Sequence, residues 1–445
     1  MFGVLRNPAF SRLFSAQIVA LFGTGLLTVA LALLAFDLAG PQAGAVLGTA
    51  LTIKMIAYVG LAPVTSAVAE RLRRRTVLIG ADLARAATAL ALPFVDAVWQ
   101  VYLLVFVLQA ASATFTPAFQ ATIPDILTDE ADYTRALSLS RLAYDLENLL
   151  SPAVAAALLA LVSYHWLFAG TVVGFAGSAA LVALTPLPVQ RTRAEIRSFS
   201  DRLTRGLRIY LATPRLRGLL ALNMAAAASG AFVIVNTVVV ARTGYGAGET
   251  AVAVALAAFG AGSMLAALVL PRLLEQVSDR AVMIAAALVL GAATLCLGIR
   301  LAVYWLPAWG SLLGAWMVGG LLYASILTPA GRLLRRSAHA GDRPAVFAAQ
   351  FALSHACWLV TYPLAGWGGS ELGLGWAMAL LGTVALASAA IAGQLWPRGD
   401  PSELVHDHPD LPGDHPHLRA HPGEGRRHRH VVVIDDEHRI WPSQG

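Results

Sequence analysis

The run Leu13–Phe36, LFSAQIVALFGTGLLTVALALLAF, contains 24 residues and no charged side chain. A helix rises about 1.5 Å per residue, so about 20 apolar residues cross the hydrocarbon core of a bilayer. We therefore expect this run to be a membrane-spanning helix. Charged residues precede it, as in a signal peptide, but the run continues without a small-residue cleavage site, so we expect a retained first helix.

The rest of the sequence repeats this pattern. Of the 445 residues, 57% are hydrophobic and 13% are charged, whereas about 25% are charged in an ordinary soluble domain. This composition excludes an ordinary water-soluble enzyme, and we assign no catalytic residue. Apolar runs between charged or Pro/Gly breaks predict twelve spans, near residues 13–36, 43–69, 76–96, 98–121, 133–162, 164–186, 215–241, 249–271, 279–300, 306–328, 343–369 and 371–396.

The spans fall into two sets of six. The first set occupies residues 1–186 and the second residues 215–396, with a basic connector at 187–214 and a tail at 397–445. The sequence therefore predicts an all-α integral membrane protein with twelve transmembrane helices in two six-helix halves. Two such halves are a transporter architecture, in which the substrate site lies between the halves near the middle of the bilayer.

Basic residues predict the orientation. Lys54 is the only lysine, and the arginines cluster in alternate loops and in the connector, as topology signals do, rather than on a nucleic-acid-binding face. The positive-inside rule places both termini in the cytoplasm and leaves only Arg242 and Arg300 in outer loops. We expect a monomer in the inner (plasma) membrane of a bacterium. Its expected partners are the lipid bilayer and a small ion or molecule as substrate, with no nucleic acid, no cofactor, and the proton gradient as driving force.

The loop between the second and third spans reads SAVAERLRRRTVL from Ser66 to Leu78. It resembles the signature loop of the major facilitator superfamily, which has a glycine at the position of Ser66 and an aspartate at that of Glu70. The resemblance covers residues 5–396, and in that family the loop latches helices on the cytoplasmic side. It implies a latch made by Glu70, Arg71, Arg74, Arg75, Asp82 and Arg85. Guanidinium groups can bond carboxylates and helix C-terminal carbonyls reversibly; a basic loop that only sets the topology is the alternative.

Ionisable side chains inside a bilayer are costly unless they are paired or face water, so each one is a functional candidate. We expect proton coupling and transport on one broad polar face of span 5, which carries Arg141, Tyr144, Asp145, Glu147 and Asn148. Asp145 and Glu147 can bind a divalent cation and take up protons when it leaves, as proton-coupled antiport requires. The alternative is that Arg141 pairs with Asp145, and Glu147 with Lys54, to stabilise helix packing.

Two residues outside span 5 join these candidates. Lys54 lies in span 2 and His355 in span 11. The imidazole of His355 can bind a metal ion or relay protons. A hydrogen-bonded histidine that only packs against its neighbours is the alternative.

The tail holds eight of the eleven histidines. They are His406, His408, His415, His417, His421, His428, His430 and His438. Histidines two residues apart in a Pro-rich extended segment can share one ion, and imidazole with carboxylate favours Ni, Zn, Co or Cu. A flexible tail without a metal is the alternative. Residues 428–441 also predict a short strand pair, with a turn at Asp435 and Asp436.

Asp145 and Glu147, together with the His-rich tail, resemble the nickel-resistance exporters of the superfamily. The resemblance implies proton-driven efflux of a divalent transition metal such as nickel, by alternating access of the two halves. Two other functions stay open. One is export of a drug or siderophore along a pathway lined by Trp316, Trp358 and Tyr362. The other is a static membrane protein whose tail binds or senses metal.

Overall fold

A computed structural model describes residues 2–61, 73–127, 129–187, 199–304, 306–339, 342–399, 403–407, 427–430, 432–435, 438 and 441. Nearly all of this part of the chain is helical. The helices are α1 (Pro8–Ala39), α2 (Ala43–Ile56), α3 (Arg74–Ala91), α4 (Val98–Ile126), α5 (Glu130–Leu159), α6 (His165–Ala183), α7 (Phe199–Ala212), α8 (Pro214–Val239), α9 (Glu249–Gln276), α10 (Asp279–Tyr304), α11 (Trp309–Leu327), α12 (Ala330–Arg336), α13 (Arg343–Glu371) and α14 (Leu374–Leu395).

The described residues contain ten stretches that are long and apolar enough to cross a bilayer. The first, Pro8–Gly60, holds two helices, because only the short 3₁₀ turn Gly40–Gln42 separates α1 from α2. The charged residues of α5 all precede Leu150, and its apolar segment Leu150–Leu159 is shorter than a full span. With α1 and α2 counted separately and α5 included, the described chain has the twelve transmembrane helices that the sequence predicts.

The helices pack as two similar halves. In the first half α1 contacts α6, and α3 contacts both α4 and α6. In the second half α8 contacts α14, and α10 contacts both α11 and α14. We call the end of the bundle where α3 and α10 begin the connector face, and the other end the opposite face.

The halves meet mainly where α2 contacts α13 and where α5 contacts α9. Glycines bring α2 and α13 together: a Cβ atom added at Gly48 would lie 2.8 Å from the Tyr362 carbonyl oxygen and 3.0 Å from Gly366 Cα. Small residues allow such close backbone approach between helices in membranes. The Trp367 Nε1–H also donates to Thr49 Oγ1 across this contact, at 3.0 Å.

The connector contains a helix, α7, that the sequence analysis described only as a basic segment. Arg205 of α7 forms two bonds with the Asp342 carboxylate, and the Tyr210 hydroxyl donates to the Gln350 side chain. Burial raises the pKa of the Tyr210 phenol above its ordinary value, so this hydroxyl stays a donor at neutral pH. The connector helix is thereby fixed to the first turns of α13.

The prediction of a strand pair within residues 428–441 is wrong about the second strand. Strand β2 (Arg427–His430) pairs antiparallel with β1 (Leu404–Asp407), which the sequence analysis did not assign. The residues that follow β2 pack on the helices instead, since Val432, Val433 and Ile434 are buried. Their apolar side chains gain more from this burial than from a half-exposed hairpin.

Candidate functional site

Three ionisable residues from three helices meet between the halves. Lys54 of α2 interacts electrostatically with Glu147 of α5 and with His355 of α13. All three side chains are only partly buried. Glu147 and His355 lie near the middle of their helices, whereas Lys54 lies in the last turn of α2. The site therefore holds both signs of charge at the junction of the two halves.

Gly25 of α1 makes room for Glu147. A Cβ atom at residue 25 would clash with the Ser151 side chain and lie 3.2 Å from Glu147 Oε1. The carboxylate is thus held against the α1 backbone, one helical turn from Ser151. Gly25 could not be predicted from the sequence, because a glycine that is required only for its small size carries no chemical signal.

The described side of α13 that carries His355 is aromatic. Phe351, His355, Trp358 and Tyr362 recur at spacings of three and four residues, which places them on one helix face. Ring centroids are 3.9 Å apart for Phe351 and His355, and 5.0 Å apart for Trp358 and Tyr362. We call these four residues the aromatic stripe.

Tyr58, in the π-helical turn Ala57–Leu61 that follows α2, joins the aromatic stripe to Lys54. Its ring centroid lies 5.7 Å from that of His355, and Lys54 Nζ lies 5.9 Å from the Tyr58 ring centroid. His355 Nδ1 lies 2.7 Å from the Phe351 carbonyl oxygen, which can only accept, so Nδ1 carries a proton. The central site thus combines two opposite charges, Lys54 and Glu147, with a broad aromatic wall.

Four of the span 5 candidates lie in α5 as predicted, but only their backbone belongs to the described part of the structure. They are Arg141, Tyr144, Asp145 and Asn148. Their proposed transport roles stay predictions. Glu147 is the span 5 candidate whose surroundings the structure describes.

The latch arginines of the first half bond helix ends at the connector face. Arg74 at the start of α3 forms an ion pair with Asp125 near the end of α4. Arg75 donates to the Ala183 carbonyl at the end of α6, and Arg12 donates to the next carbonyl, Leu184, at 3.1 Å. Cations at a helix C-terminus are stabilised by the exposed carbonyls and the helix dipole. Glu70 and Arg71 lie outside the described residues.

Asp82 and Arg85 form a buried ion pair within α3. Asp82 is fully buried and Arg85 is 5% exposed. The Ser178 hydroxyl of α6 donates to Asp82 at 2.7 Å. The Arg85 guanidinium lies between the rings of Phe115 and Phe175, 4.3 and 4.5 Å from their centroids. The pair therefore ties α3 to both α4 and α6.

The second half has an equivalent arrangement at the connector face. Arg280 at the start of α10 donates from Nε to the Trp396 carbonyl at 2.7 Å, and from its terminal nitrogen to the Gly393 carbonyl at 2.8 Å. Asp279 forms an ion pair with Arg332 of α12. The latch thus has a counterpart in the second half.

Tyr164 closes the opposite face. Its hydroxyl donates to Asp37 Oδ2 at 2.7 Å, and its backbone N–H donates to Glu249 Oε2, across the halves, at 3.2 Å. Burial and the Asp37 carboxylate raise the pKa of the Tyr164 phenol above its ordinary value. Thr250 also crosses the halves, donating to the Leu159 carbonyl at 3.2 Å.

Of the tail histidines, His438 has a described side chain. Its Nδ1 lies 2.9 Å from Asp435 Oδ1, and its backbone N–H donates to the same oxygen at 2.6 Å. Asp435 Oδ2 lies 3.2 Å from His339 Nε2, so the tail is bonded to the loop after α12. Among the residues that the structure describes, no group of three or more His, Cys, Asp or Glu side chains could hold a metal ion.

The other seven tail histidines are described in part or not at all. On the strands, His406 is opposite His428 in the register, and His430 is opposite Leu404; only the backbone of these residues is described. His408, His415, His417 and His421 lie outside the described residues. A metal role for this set stays a prediction.

Comparison with known proteins gives the family. Residues 13–248 match the model of the Major Facilitator Superfamily. This chain belongs to the Major Facilitator Superfamily. It is therefore a multi-pass membrane transport protein rather than an enzyme.

The most similar relatives cover only part of this Major Facilitator Superfamily chain. Macrolide efflux protein A of Streptococcus pyogenes is 27% identical over 184 residues, which are 40% of this chain and 45% of that protein. The uncharacterized MFS-type transporter YfiS of Bacillus subtilis (strain 168) is 31% identical over 108 residues, which are 24% of this chain and 26% of that protein. The matches thus span less than half the length of these relatives.

Solved structures of the superfamily share the fold over most of the chain. The nucleoside transporter NupG matches with a TM-score of 0.66 at 14% identity, covering 87% of this chain and 98% of that one. A D-xylose–proton symporter matches with a TM-score of 0.64 at 14% identity, covering 88% and 98%. At such identities the likeness shows the fold alone.

Proposed function

We propose that this chain exports an organic compound with a large apolar or aromatic part, in exchange for protons, by alternating access of its two halves. The connector face lies in the cytoplasm of a bacterium, since the arginine-rich loops cluster there. The opposite face, closed by Tyr164 and Glu249, then lies outside the plasma membrane. Efflux is also the activity named for the streptococcal relative.

The aromatic stripe carries this proposal. It lies between the halves next to Lys54 and Glu147, where an alternating-access transporter binds its substrate. Aromatic walls suit a bulky apolar body, and a few polar groups among them fix its orientation. The stripe includes Trp358 and Tyr362, which the sequence analysis named for an organic substrate.

Glu147 is the proposed proton carrier. While it is ionised, Lys54 offsets its charge inside the bundle. Protonation from outside removes that attraction and frees Lys54 and His355 to repack, which changes the balance between the two states of the transporter. Asp145, two residues away on α5, is proposed as a second carboxylate in the exchange.

A transition-metal ion such as nickel is the second candidate substrate. The eight tail histidines favour it, and so does the register that sets His406 opposite His428. Directly opposite residues in a ladder have Cβ atoms about 5 Å apart, a separation that two ligands of one ion can share. In this alternative the tail delivers the ion to the span 5 carboxylates.

Transport into inverted vesicles with an acidified lumen tests both candidates. We expect a radiolabelled macrolide and an apolar fluorescent dye to accumulate, and Glu147→Gln to lower the initial rate at least 10-fold by removing the titrating carboxylate. Glu371→Gln, the same substitution at an exposed carboxylate, is the control and keeps the wild-type rate. Equal rates in Glu147→Gln and wild type would contradict the assignment of Glu147.

The same vesicles separate the substrates. Accumulation of ⁶³Ni²⁺ without the organic compounds would favour the metal candidate over ours. Deleting residues 398–445 tests whether the body alone transports. Export that survives the deletion contradicts the hypothesis of a static protein whose tail binds metal. If the full chain transports none of the tested compounds, the proposal that it is a transporter is contradicted.

A further inference from the structure

The second half contains a cavity of about 140 Å³ lined by residues of α8, α9, α10, α11 and α14. Its walls are mostly apolar and include the rings of Phe259, Trp316 and Tyr323. The hydroxyls of Ser229 and Thr294 lie in the wall but bond each other, at 3.2 Å. Apolar cavities of about 150 Å³ stay dry and take up benzene or xenon. This cavity therefore has the size and chemistry for one ring-sized apolar group.

The mouth of the cavity is lined by exposed apolar side chains in the spanning part of the bundle. They are Ala293 of α10 and Val318 of α11, the latter exposed by 49%. Exposed apolar residues in the spanning part of a membrane protein contact acyl chains. A guest can thus come directly from the bilayer without crossing water.

The inner wall of the cavity adjoins the central site. A Cβ atom at Gly230 would lie 3.0 Å from Trp358 Cη2 and 3.1 Å from Tyr323 Cε2. The rings of Tyr323 and Trp358 contact each other edge to face, with centroids 6.4 Å apart. One layer of side chains, centred on Tyr323, therefore separates the cavity from the aromatic stripe.

We propose that this cavity is a lateral subsite, which takes a ring-sized apolar group of the exported compound from the bilayer before the compound reaches the aromatic stripe. The identification of the bound group as part of the exported compound rests on the proposed function. The three aromatic rings in its wall favour a cyclic group over an extended acyl chain, because aromatic pairs gain from offset and edge-to-face contacts beyond their buried area.

Two glycines of α11 offer a matched pair of variants. A Cβ atom at Gly319 would lie 3.8 Å from the Phe259 ring, in ordinary contact, so a leucine there fills the cavity. A Cβ atom at Gly314 would meet nothing within 4 Å. Gly314→Leu therefore adds the same side chain to the same helix without filling the cavity.

Benzene is the first probe, and its readout does not depend on transport. In the detergent-purified full chain we expect saturating benzene to raise the midpoint of thermal unfolding by about 1–3 °C. The same rise is expected in Gly314→Leu and none in Gly319→Leu. No rise in wild type, or equal rises in all three proteins, would overturn the subsite.

Transport of the radiolabelled macrolide is the second readout. We expect Gly319→Leu to raise KM about 10-fold with kcat unchanged, and Gly314→Leu to leave both unchanged. A benzene-dependent rise with no change in KM would make the cavity a lipid-chain site and overturn the proposal. If no organic compound is transported by wild type, the proposed function fails, and the benzene experiment still decides whether the cavity takes a ring.

Discussion

The connector faces of the two halves join their helix ends in a similar way but with a different order of charges. In each half an arginine at the start of the third helix caps the last helix. Arg75 bonds the Ala183 carbonyl, and Arg280 bonds the Gly393 and Trp396 carbonyls. The similarity lies in the contact between helix ends, where unpaired carbonyls attract a cation in either half.

The ion pairs next to these caps are reversed. In the first half the arginine, Arg74, begins α3 and its acid, Asp125, lies near the end of α4. In the second half the acid, Asp279, begins α10 and the arginine, Arg332, lies in α12. The order of charges is therefore not dictated by the fold, whereas the cap is.

The helix interiors differ more strongly. The ninth and twelfth residues of α3 are the buried pair Asp82 and Arg85, whereas those of α10 are the buried apolar residues Ala287 and Leu290. The second half instead receives the tail: Ile434 is buried, and Trp441 lies under the Arg215 guanidinium, 5.1 Å from it. Inside the third helix of each half, a buried ion pair in the first half therefore takes the place of apolar packing in the second.

Substitutions in the buried ion pair of Asp82 and Arg85 should have the largest effect on the free energy of unfolding. We expect Arg85→Leu to lower the free energy of unfolding by about 3–5 kcal/mol, because it leaves the Asp82 carboxylate buried without its cation. The double variant Asp82→Ala/Arg85→Leu reproduces the pattern of α10 and should lose no more than about 1 kcal/mol. Thermal unfolding in detergent measures both. A double variant as unstable as the single one would show that α3 cannot use apolar packing here.

The caps should show an intermediate effect, larger in the second half. Arg280→Ala removes two charge-assisted bonds and should cost about 2 kcal/mol. Arg75 is exposed, so solvent replaces its bond and Arg75→Ala should cost about 0.5 kcal/mol. The loss of stability in Arg280→Lys, which lacks the guanidinium fork, should lie between the losses in Arg75→Ala and Arg280→Ala. Equal losses for Arg75→Ala and Arg280→Ala would mean that exposure does not decide the strength of a cap.

The sequence predicts the spans well, because a bilayer imposes a strong and local rule. Backbone groups in the hydrocarbon core must bond internally, so each apolar run of sufficient length becomes a helix. The run Leu13–Phe36, for example, lies within α1. For Arg74 and Arg75 the family resemblance implied a latch, and guanidinium groups can bond carboxylates and helix-end carbonyls; the two arginines form bonds of these kinds.

Features that depend on distant residues were missed. The connector helix α7 is held by Asp342, and β2 pairs with β1 rather than with the residues that follow it. Gly25 matters only because Glu147 and Ser151 lie against it. Lys54 and Glu147 could be named from the sequence as candidates, since they are rare charges in apolar runs, but their place beside the aromatic stripe depends on the packing of α2 on α13.

The reversed ion pairs should show the smallest effect and the sharpest test of the comparison. Arg74→Asp/Asp125→Arg gives the first half the charge order of the second. Each single change places like charges together, and we expect it to lower the free energy of unfolding by about 1 kcal/mol, since both side chains are about one-fifth exposed. The double variant should recover most of this loss, and a double-mutant cycle measures the coupling directly. The same exchange at Asp279 and Arg332 is the control in the second half. If neither exchange is tolerated, the order of charges is specified by other groups around each helix end, and the two connector faces are less alike than their caps indicate.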